Sequence, residues 1–168
     1  MTPEAIERAA TIIAENRLNR ARLDTLDADI RPADLHDAYA VQERLNEILG
    51  SRGLGSLAGY KIGCTTPVMQ EYMNIHEPAL GEVFAGTVQH GDGVYAHSDF
   101  VEPGVEAEIA IVLAKDIPAS GAPYDRDSVR DAVGAAMISL ELVDARYRDF
   151  RDLDTPTMAA DNFFNAAA

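Results

Sequence analysis

The sequence has no tryptophan, a single cysteine and no apolar run approaching the roughly 20 residues that span a membrane. Basic side chains are also few: 14 lysines and arginines stand against 28 aspartates and glutamates, a formal net charge of −14 at pH 7. One cysteine, Cys64, excludes an internal disulfide and a multi-thiolate metal site. The negative charge disfavours binding to nucleic acid or anionic membranes, since both attract positive potential. A metal ion or a cationic partner fits this balance better.

Length and composition predict one folded domain in a reducing compartment. The chain has 168 residues, of which 47% are hydrophobic, so it can bury a core and disorder is disfavoured. The stretch 1–17 is acidic and amphipathic and lacks the basic and apolar regions of a secretory signal. We therefore expect a soluble cytoplasmic protein.

The first fifty residues carry helix signals. Thr2 is a suitable N-cap with Pro3 at the first helical position, and Pro32 can start a second helix whose apolar stripe ends at Gly50. From residue 59 onward the pattern changes to short strands and turns, including a Thr66-Pro67 signal for a short helix.

The remaining elements are predicted from local patterns. Segments 83–85 and 94–96 bracket a turn and predict a hairpin, and 105–113 has the strongest strand pattern. Segment 125–137 predicts a capped helix, and 138–143 a buried strand. Helices followed by strands predict an α+β fold, with an N-terminal helical region at 1–57 and a strand-rich region at 58–168.

Three glutamates are the strongest candidates for chemistry. Glu106 and Glu108 point to the same face of the strand at 105–113, because side chains alternate along a strand. Glu141 lies within a strongly apolar strand, where an isolated carboxylate is costly to bury. If the two strands are neighbours, three carboxylates converge into a site for Mg²⁺, Mn²⁺ or Ca²⁺. Alternatively, Glu106 and Glu108 are merely solvated and Glu141 pairs with Arg146 or Arg148.

Lys61 is the second candidate, in a strand where neighbouring glycines such as Gly63 let a ligand approach the backbone. A lysine beside an anionic substrate can hold a carboxylate or move a proton, although a surface lysine on a strand is equally ordinary. His76 followed by Glu77 is a weaker candidate for a general base. Phosphate-binding loops of the GxxxxGK[ST] or GxGxxG kind and the GxSxG elbow are absent.

Five segments form a recognisable series in chain order: Asp37-Ala38-Tyr39-Ala40-Val41-Gln42, Gly59-Tyr60-Lys61-Ile62-Gly63-Cys64-Thr65, Val105-Glu106-Ala107-Glu108-Ile109-Ala110, Glu141-Leu142-Val143-Asp144-Ala145-Arg146 and Ala160-Asp161-Asn162. Together these segments resemble one known family, the 2-keto-4-pentenoate hydratases of the fumarylacetoacetate hydrolase superfamily, which includes 4-oxalocrotonate decarboxylases. They span almost the whole chain.

The resemblance implies that residues 58–168 form a partial catalytic domain with a mixed β-roll, preceded by the helical region. It also implies that the protein is a lyase of aromatic catabolism. It implies Mg²⁺ or Mn²⁺ bound by Glu106, Glu108 and Glu141. Lys61 is then the catalytic residue and, with Gly63, contacts the substrate, a small 2-hydroxydienoate or 2-keto-4-pentenoate acid that takes up water. The family also implies a homo-oligomer, or association with a related decarboxylase subunit.

Two departures from the family pattern keep alternatives open. Ala79 stands where hydratases of the family commonly carry an aspartate, which leaves decarboxylation or C–C hydrolysis as alternative reactions. Family members also continue well beyond the position of Ala168, so we expect a partial β-roll with an open sheet edge and part of the pocket wall missing. A non-catalytic subunit that keeps the fold is a further alternative.

Overall fold

The computed structural model describes all 168 residues and consists of helices and small antiparallel sheets, which confirms the predicted α+β class. None of the helices combines the length and apolar character needed to cross a membrane. The helices are α1 (Pro3–Leu18), α2 (Leu35–Leu49), α3 (Pro67–Tyr72), α4 (Arg126–Arg130) and α5 (Thr155–Ala160). The strands are β1 (Leu57–Gly63), β2 (Ala79–Phe84), β3 (Pro103–Leu113), β4 (Val133–Asp144) and β5 (Asn165–Ala167).

Side-chain caps determine where the N-terminal helices begin. Thr2 caps α1 by accepting the Ala5 N–H, as predicted. The second helix begins at Leu35 rather than Pro32, because the Asp34 side chain caps it by accepting the Asp37 N–H. The Thr66 cap and the proline after it start α3 as predicted.

The core lies between helices α1, α2 and α5. Fully buried alanines and aliphatic side chains of α1 and α2 pack against the two alanines that end α5. Phe84 at the end of β2 joins this cluster and thereby attaches the first sheet to the helices. The principal buried side chains are Ile13, Leu26, Ile30, Val41, Leu45, Leu49, Phe84, Ala159 and Ala160.

Strands β1 and β2 form the first sheet, with Lys61 opposite Gly81 and Gly63 opposite Ala79. The predicted hairpin between 83–85 and 94–96 is wrong, because β2 pairs with β1 and residues 94–96 form no strand. Val94 is 96% exposed and has no surface to bury against, whereas Phe84 is buried with the helices. Burial therefore selected β1 over the nearer segment as the partner of β2.

Strands β3, β4 and β5 form the second sheet in that order. The predicted helix at 125–137 is wrong beyond its first turn: Asp125 caps α4, but the chain is extended from Val133 onward. The Ala114 N–H donates to the Ala132 carbonyl at 2.8 Å, so pairing with β3 begins immediately after α4. This long-range pairing overrides the local helix pattern. The predicted strand at 138–143 is the second half of β4.

The chain divides into two compact units. One consists of Met1–Gly104 and Leu142–Ala168, and the other of Val105–Glu141. Within the smaller unit, large apolar side chains remain exposed on both strands, including Ile109 at 76% and Ile138 at 88%. The domain boundary predicted between residues 57 and 58 stays a prediction.

Candidate functional site

The three predicted glutamates come together within the smaller unit. Glu106 and Glu108 lie two residues apart on β3, and Glu141 lies on the neighbouring strand β4. One carboxylate oxygen from each lies within 4.8 Å of the others. Glu141 is 6% exposed, while Glu106 and Glu108 are exposed. Glu141 therefore lies at the buried side of the cluster. Glu106 and Glu108, the two rim residues, lie at its solvent side.

This donor set fits a hard divalent cation. Two oxygens bound to one Mg²⁺ at about 2.1 Å are at most about 4.2 Å apart, and two bound to Ca²⁺ at about 2.4 Å are at most about 4.8 Å apart. The three oxygens lie within 4.8 Å of one another, which matches the Ca²⁺ limit, and they would move closer together to bind Mg²⁺. Three carboxylates would supply about half of the six oxygen ligands that Mg²⁺ takes, and the two exposed rim residues leave the cluster open to solvent.

The two arginines offered as alternative partners of Glu141 form ion pairs elsewhere. Arg146 lies 3.1 Å from Asp161 and 3.6 Å from Asp144, and all three side chains are buried. Arg148 pairs at the surface with Asp24 at 2.7 Å. The sequence alone did not reveal the partners Asp161 and Asp24, because tertiary packing brings them from other parts of the chain.

Lys61 is half-buried on β1 and packs over Gly81 of β2. A Cβ at position 81 would lie 2.9 Å from the Lys61 Cγ, so only glycine leaves room for this side chain. Directly opposite residues of an antiparallel pair share a face, so Lys61, Gly63, Ala79 and Gly81 line one face of the sheet. Three of these four residues are glycine or alanine, and Lys61 supplies the only charge among them.

No nearby acid replaces the aspartate that the family resemblance expects at Ala79. Ala79 is buried on the face that carries Lys61. Glu82 lies on the other face, where its carboxylate accepts a hydrogen bond from the Asn46 side chain at 3.0 Å. Glu77 precedes β2 and, with His76, lines a separate cavity of about 820 Å³ beside Asp34. The role of His76 and Glu77 as a general base stays a prediction.

A buried ionic cluster, which the sequence analysis missed, joins α1 to the C-terminal segment. It consists of Arg17, Asp144, Arg146 and Asp161. The Asp144 carboxylate also accepts the backbone N–H groups of Val101 and Glu102 at 2.8 Å. Burial, together with the charge of Arg146, lowers the pKa of the Arg17 guanidinium to about 9, so it remains protonated at neutral pH.

A left-handed turn follows α5, next to this cluster. Asn162, Phe163 and Phe164 have φ values of 54°, 47° and 62° in succession. Asparagine tolerates this region, but each phenylalanine costs about 1–2 kcal/mol there. Asp161 is held by Arg146, the Asn165 carbonyl accepts a hydrogen bond from Arg17, and Phe164 packs on Tyr147 at 5.7 Å. These contacts stabilise a conformation that the local sequence disfavours.

Tyr147 yields a prediction about stability at alkaline pH. It is 1% exposed, its hydroxyl has no hydrogen-bond partner, and burial together with Asp161 raises its pKa well above the usual range. The folded state thus keeps a proton that the unfolded state loses above pH 10. The contribution of Tyr147 to stability should therefore fall by up to about 1.4 kcal/mol per pH unit above pH 10, measured as the difference between the parent chain and Tyr147→Phe.

The Tyr147→Phe variant should lose this alkaline decline and should be as stable as the parent chain at pH 7, or more stable by about 1 kcal/mol. Urea denaturation between pH 7 and 11 measures both effects, with the exposed Tyr72→Phe as the control. Destabilisation by more than 1 kcal/mol at pH 7 would contradict the assignment of an unpartnered hydroxyl.

The chain is similar to enzymes of known name over nearly its whole length. It is 32% identical over 166 residues to a 2-keto-4-pentenoate hydratase of Paraburkholderia phymatum, covering 96% of this chain and 60% of that protein. It is 33% identical over 141 residues to a 2-oxo-hept-4-ene-1,7-dioate hydratase of Escherichia coli, covering 81% of this chain and 51% of that protein. No family model matches the chain.

The chain is also similar to a solved structure over nearly its whole length. The 4-oxalocrotonate decarboxylase of Pseudomonas putida G7, complexed with magnesium and adipate, superposes with a TM-score of 0.88 at 25% identity, over 99% of this chain and 62% of that one. This match confirms the predicted fold class. The chain spans about 60% of the length of the Paraburkholderia relative. Over nearly its whole length, the chain is therefore similar to 2-keto-4-pentenoate hydratases and to a 4-oxalocrotonate decarboxylase, the same family that its five sequence segments resemble.

Proposed function

We propose that the chain carries the metal site and the catalytic lysine of a divalent-metal-dependent hydratase. The substrate class is a 2-hydroxydienoate or 2-keto-4-pentenoate acid from aromatic catabolism, and the reaction adds water to its distal double bond. One observation carries this proposal. In this chain, which is similar to such hydratases, oxygens of three carboxylates lie within 4.8 Å of one another.

Glu106, Glu108 and Glu141 would hold Mg²⁺ or Mn²⁺ through one oxygen each. When bound, the cation supplies Lewis-acid stabilisation of the negative charge that develops on the 2-oxygen of the substrate. The magnesium and adipate in the related decarboxylase support this assignment, because adipate is a carboxylic acid bound alongside a hard cation. The three glutamates alone would repel an anionic substrate, so metal should bind before substrate.

The Lys61 Nζ would assist the proton transfer that converts the dienol into its ketone. In that conversion the 2-hydroxyl loses a proton and a carbon of the conjugated chain gains one. The face that it shares with Gly63 and Ala79 offers little side-chain bulk, so a flat conjugated acid can lie along it. Gly63 would let the substrate approach the backbone closely. Ala79 supplies no carboxylate to activate the attacking water.

An absorbance assay tests this function. The chain, freed of metal with EDTA and then supplied with Mg²⁺ or Mn²⁺, should consume the dienol absorbance of 2-hydroxypenta-2,4-dienoate and form the hydrated 4-hydroxy-2-oxo acid. Activity should disappear when EDTA is added again. Metal binding without any loss of dienol absorbance would contradict the hydratase and support a non-catalytic subunit.

A 2-keto acid decarboxylase is the second candidate. Two observations favour it: the superposition on a 4-oxalocrotonate decarboxylase and the alanine at position 79. The two reactions differ in product, since decarboxylation releases CO₂ and hydration does not. Release of CO₂ from 4-oxalocrotonate, with no hydration of the five-carbon dienol, would select the decarboxylase.

We propose a cytoplasmic homo-oligomer, or a complex with a related decarboxylase subunit. Gel filtration of the chain alone, and after mixing with such a subunit, distinguishes these arrangements from a monomer.

A further inference from the structure

The outer edge of β2 has no neighbouring strand, yet its backbone groups are hydrogen-bonded. The Leu80 N–H donates to the Tyr39 hydroxyl at 3.0 Å, and the Leu80 carbonyl accepts from the Gln42 amide at 3.1 Å. Two residues along, the Glu82 N–H donates to the Asn162 Oδ1 and the Glu82 carbonyl accepts from the Asn162 Nδ2, both at 2.8 Å. Three side chains thus replace a missing strand. We call Tyr39, Gln42 and Asn162 the edge clamp.

Asn162 is the member of the edge clamp that also reaches the face of Lys61. A Cβ at position 81 would lie 2.9 Å from the Lys61 Cγ and 3.1 Å from its Cδ, and closer still to the Asn162 Oδ1. The Asn162 carboxamide and the stem of Lys61 therefore both lie against the same side of one glycine. Movement of either side chain changes the space left for the other.

The surroundings hold Asn162 rigidly in this place. Asn162 is 0% exposed and begins the left-handed turn, which Arg146 holds through Asp161 at 3.1 Å. Gln42, 5% exposed, donates a second hydrogen bond to the Ala159 carbonyl at 2.7 Å, which ties α5 to the same edge. The strained left-handed turn therefore places Asn162 beside Lys61 of the proposed site.

We propose that Asn162 is a positioning residue for Lys61, acting through its bidentate contact with Glu82 and its packing over Gly81. This inference rests on the proposed function, in which Lys61 transfers a proton. Tyr39 and Gln42 serve the same purpose by aligning Leu80.

The chain has only two lysines, Lys61 and Lys115, which makes a direct test possible. Reductive ¹³C-methylation keeps the lysine charge and gives one NMR signal for each lysine and one for the N-terminal amine, assigned with Lys115→Arg and Lys61→Arg. Asn162→Asp preserves the tolerance for positive φ but places a carboxylate against the Glu82 carbonyl. Gly81→Ala adds a methyl group on β2 that would contact both the Asn162 carboxamide and the stem of Lys61. Gly59→Ala on β1 is the control, because a Cβ there meets nothing within 4 Å.

We expect the Lys61 signal to shift in Asn162→Asp and in Gly81→Ala, and the Lys115 signal to stay unchanged. Gly59→Ala should move neither. In an active chain, kcat should fall at least 10-fold in both variants, with KM and Mg²⁺ affinity within twofold of the parent. If Asn162→Asp does not fold, Asn162→Gly, which tolerates the positive φ and removes the carboxamide, decides the result, because Gly81→Ala also contacts Lys61 directly.

Unchanged Lys61 signals in folded Asn162→Asp and Gly81→Ala would overturn the proposal. So would an equal shift in Gly59→Ala, because the effect would then not depend on the Asn162 contact. A Lys61 shift in a metal-binding chain that hydrates no dienol would support the positioning role and contradict the proposed function. The two failures are therefore distinguishable.

Discussion

Glu141→Gln is expected to lower the affinity of the chain for Mg²⁺ by at least about 100-fold, more than the loss of a residue that only supports a ligand. The substitution keeps the shape of the side chain and removes one of three negative charges from the cluster. Because Glu141 is 6% exposed, solvent cannot substitute for its oxygen as readily as it can at the two rim residues. Glu106→Gln and Glu108→Gln should weaken binding in the same direction.

The control for this experiment is Asp116→Asn. Asp116 is exposed, lies in the same compact unit, and its substitution changes the net charge by the same amount. It should leave the Mg²⁺ affinity within twofold of the parent chain. Equal losses in Asp116→Asn and Glu141→Gln would mean that general charge, rather than three ligands, attracts the ion.

Lys61→Met is expected to reduce kcat by about 10²–10⁴-fold, the usual contribution of a positioned proton donor or acceptor. Methionine keeps most of the aliphatic stem that packs over Gly81, so the sheet should remain folded. Mg²⁺ affinity should stay within twofold, because the lysine is not a ligand. The measurement is the metal-dependent dienol assay together with a metal titration of the same sample.

Lys115→Met is the matched control, since it removes the other lysine of the chain from an exposed position. It should keep full activity. Lys61→Met with unchanged kcat would remove Lys61 from the proton-transfer step and leave the metal proposal intact. A parallel loss of metal affinity would instead indicate that the substitution disturbs the fold.

The parts of the structure that the sequence could predict depend on short-range rules. Thr2 and Thr66 start helices where capping predicts them, because a cap needs only the next three residues. Glu106 and Glu108 share a face because strand alternation is local. Their convergence with Glu141 needed one further condition, that β3 and β4 are neighbours, and the structure satisfies it.

The errors and omissions arise from long-range contacts. Segment 133–137 has a helical pattern but becomes strand because β3 lies beside it. The edge of β2 is completed by Asn162, which is 80 residues away from Glu82, and no local pattern indicates that contact. Arg17 and Asp161 likewise meet only after α1 and α5 have packed near the same segment. Such contacts are determined by the tertiary fold.

Calorimetric titration of the metal-free chain with MgCl₂ tests the central claim most directly. The account predicts one Mg²⁺ per chain, with affinity weakened in each of Glu106→Gln, Glu108→Gln and Glu141→Gln and retained in Asp116→Asn. Binding of Mg²⁺ with the same affinity by all three glutamine variants would contradict it.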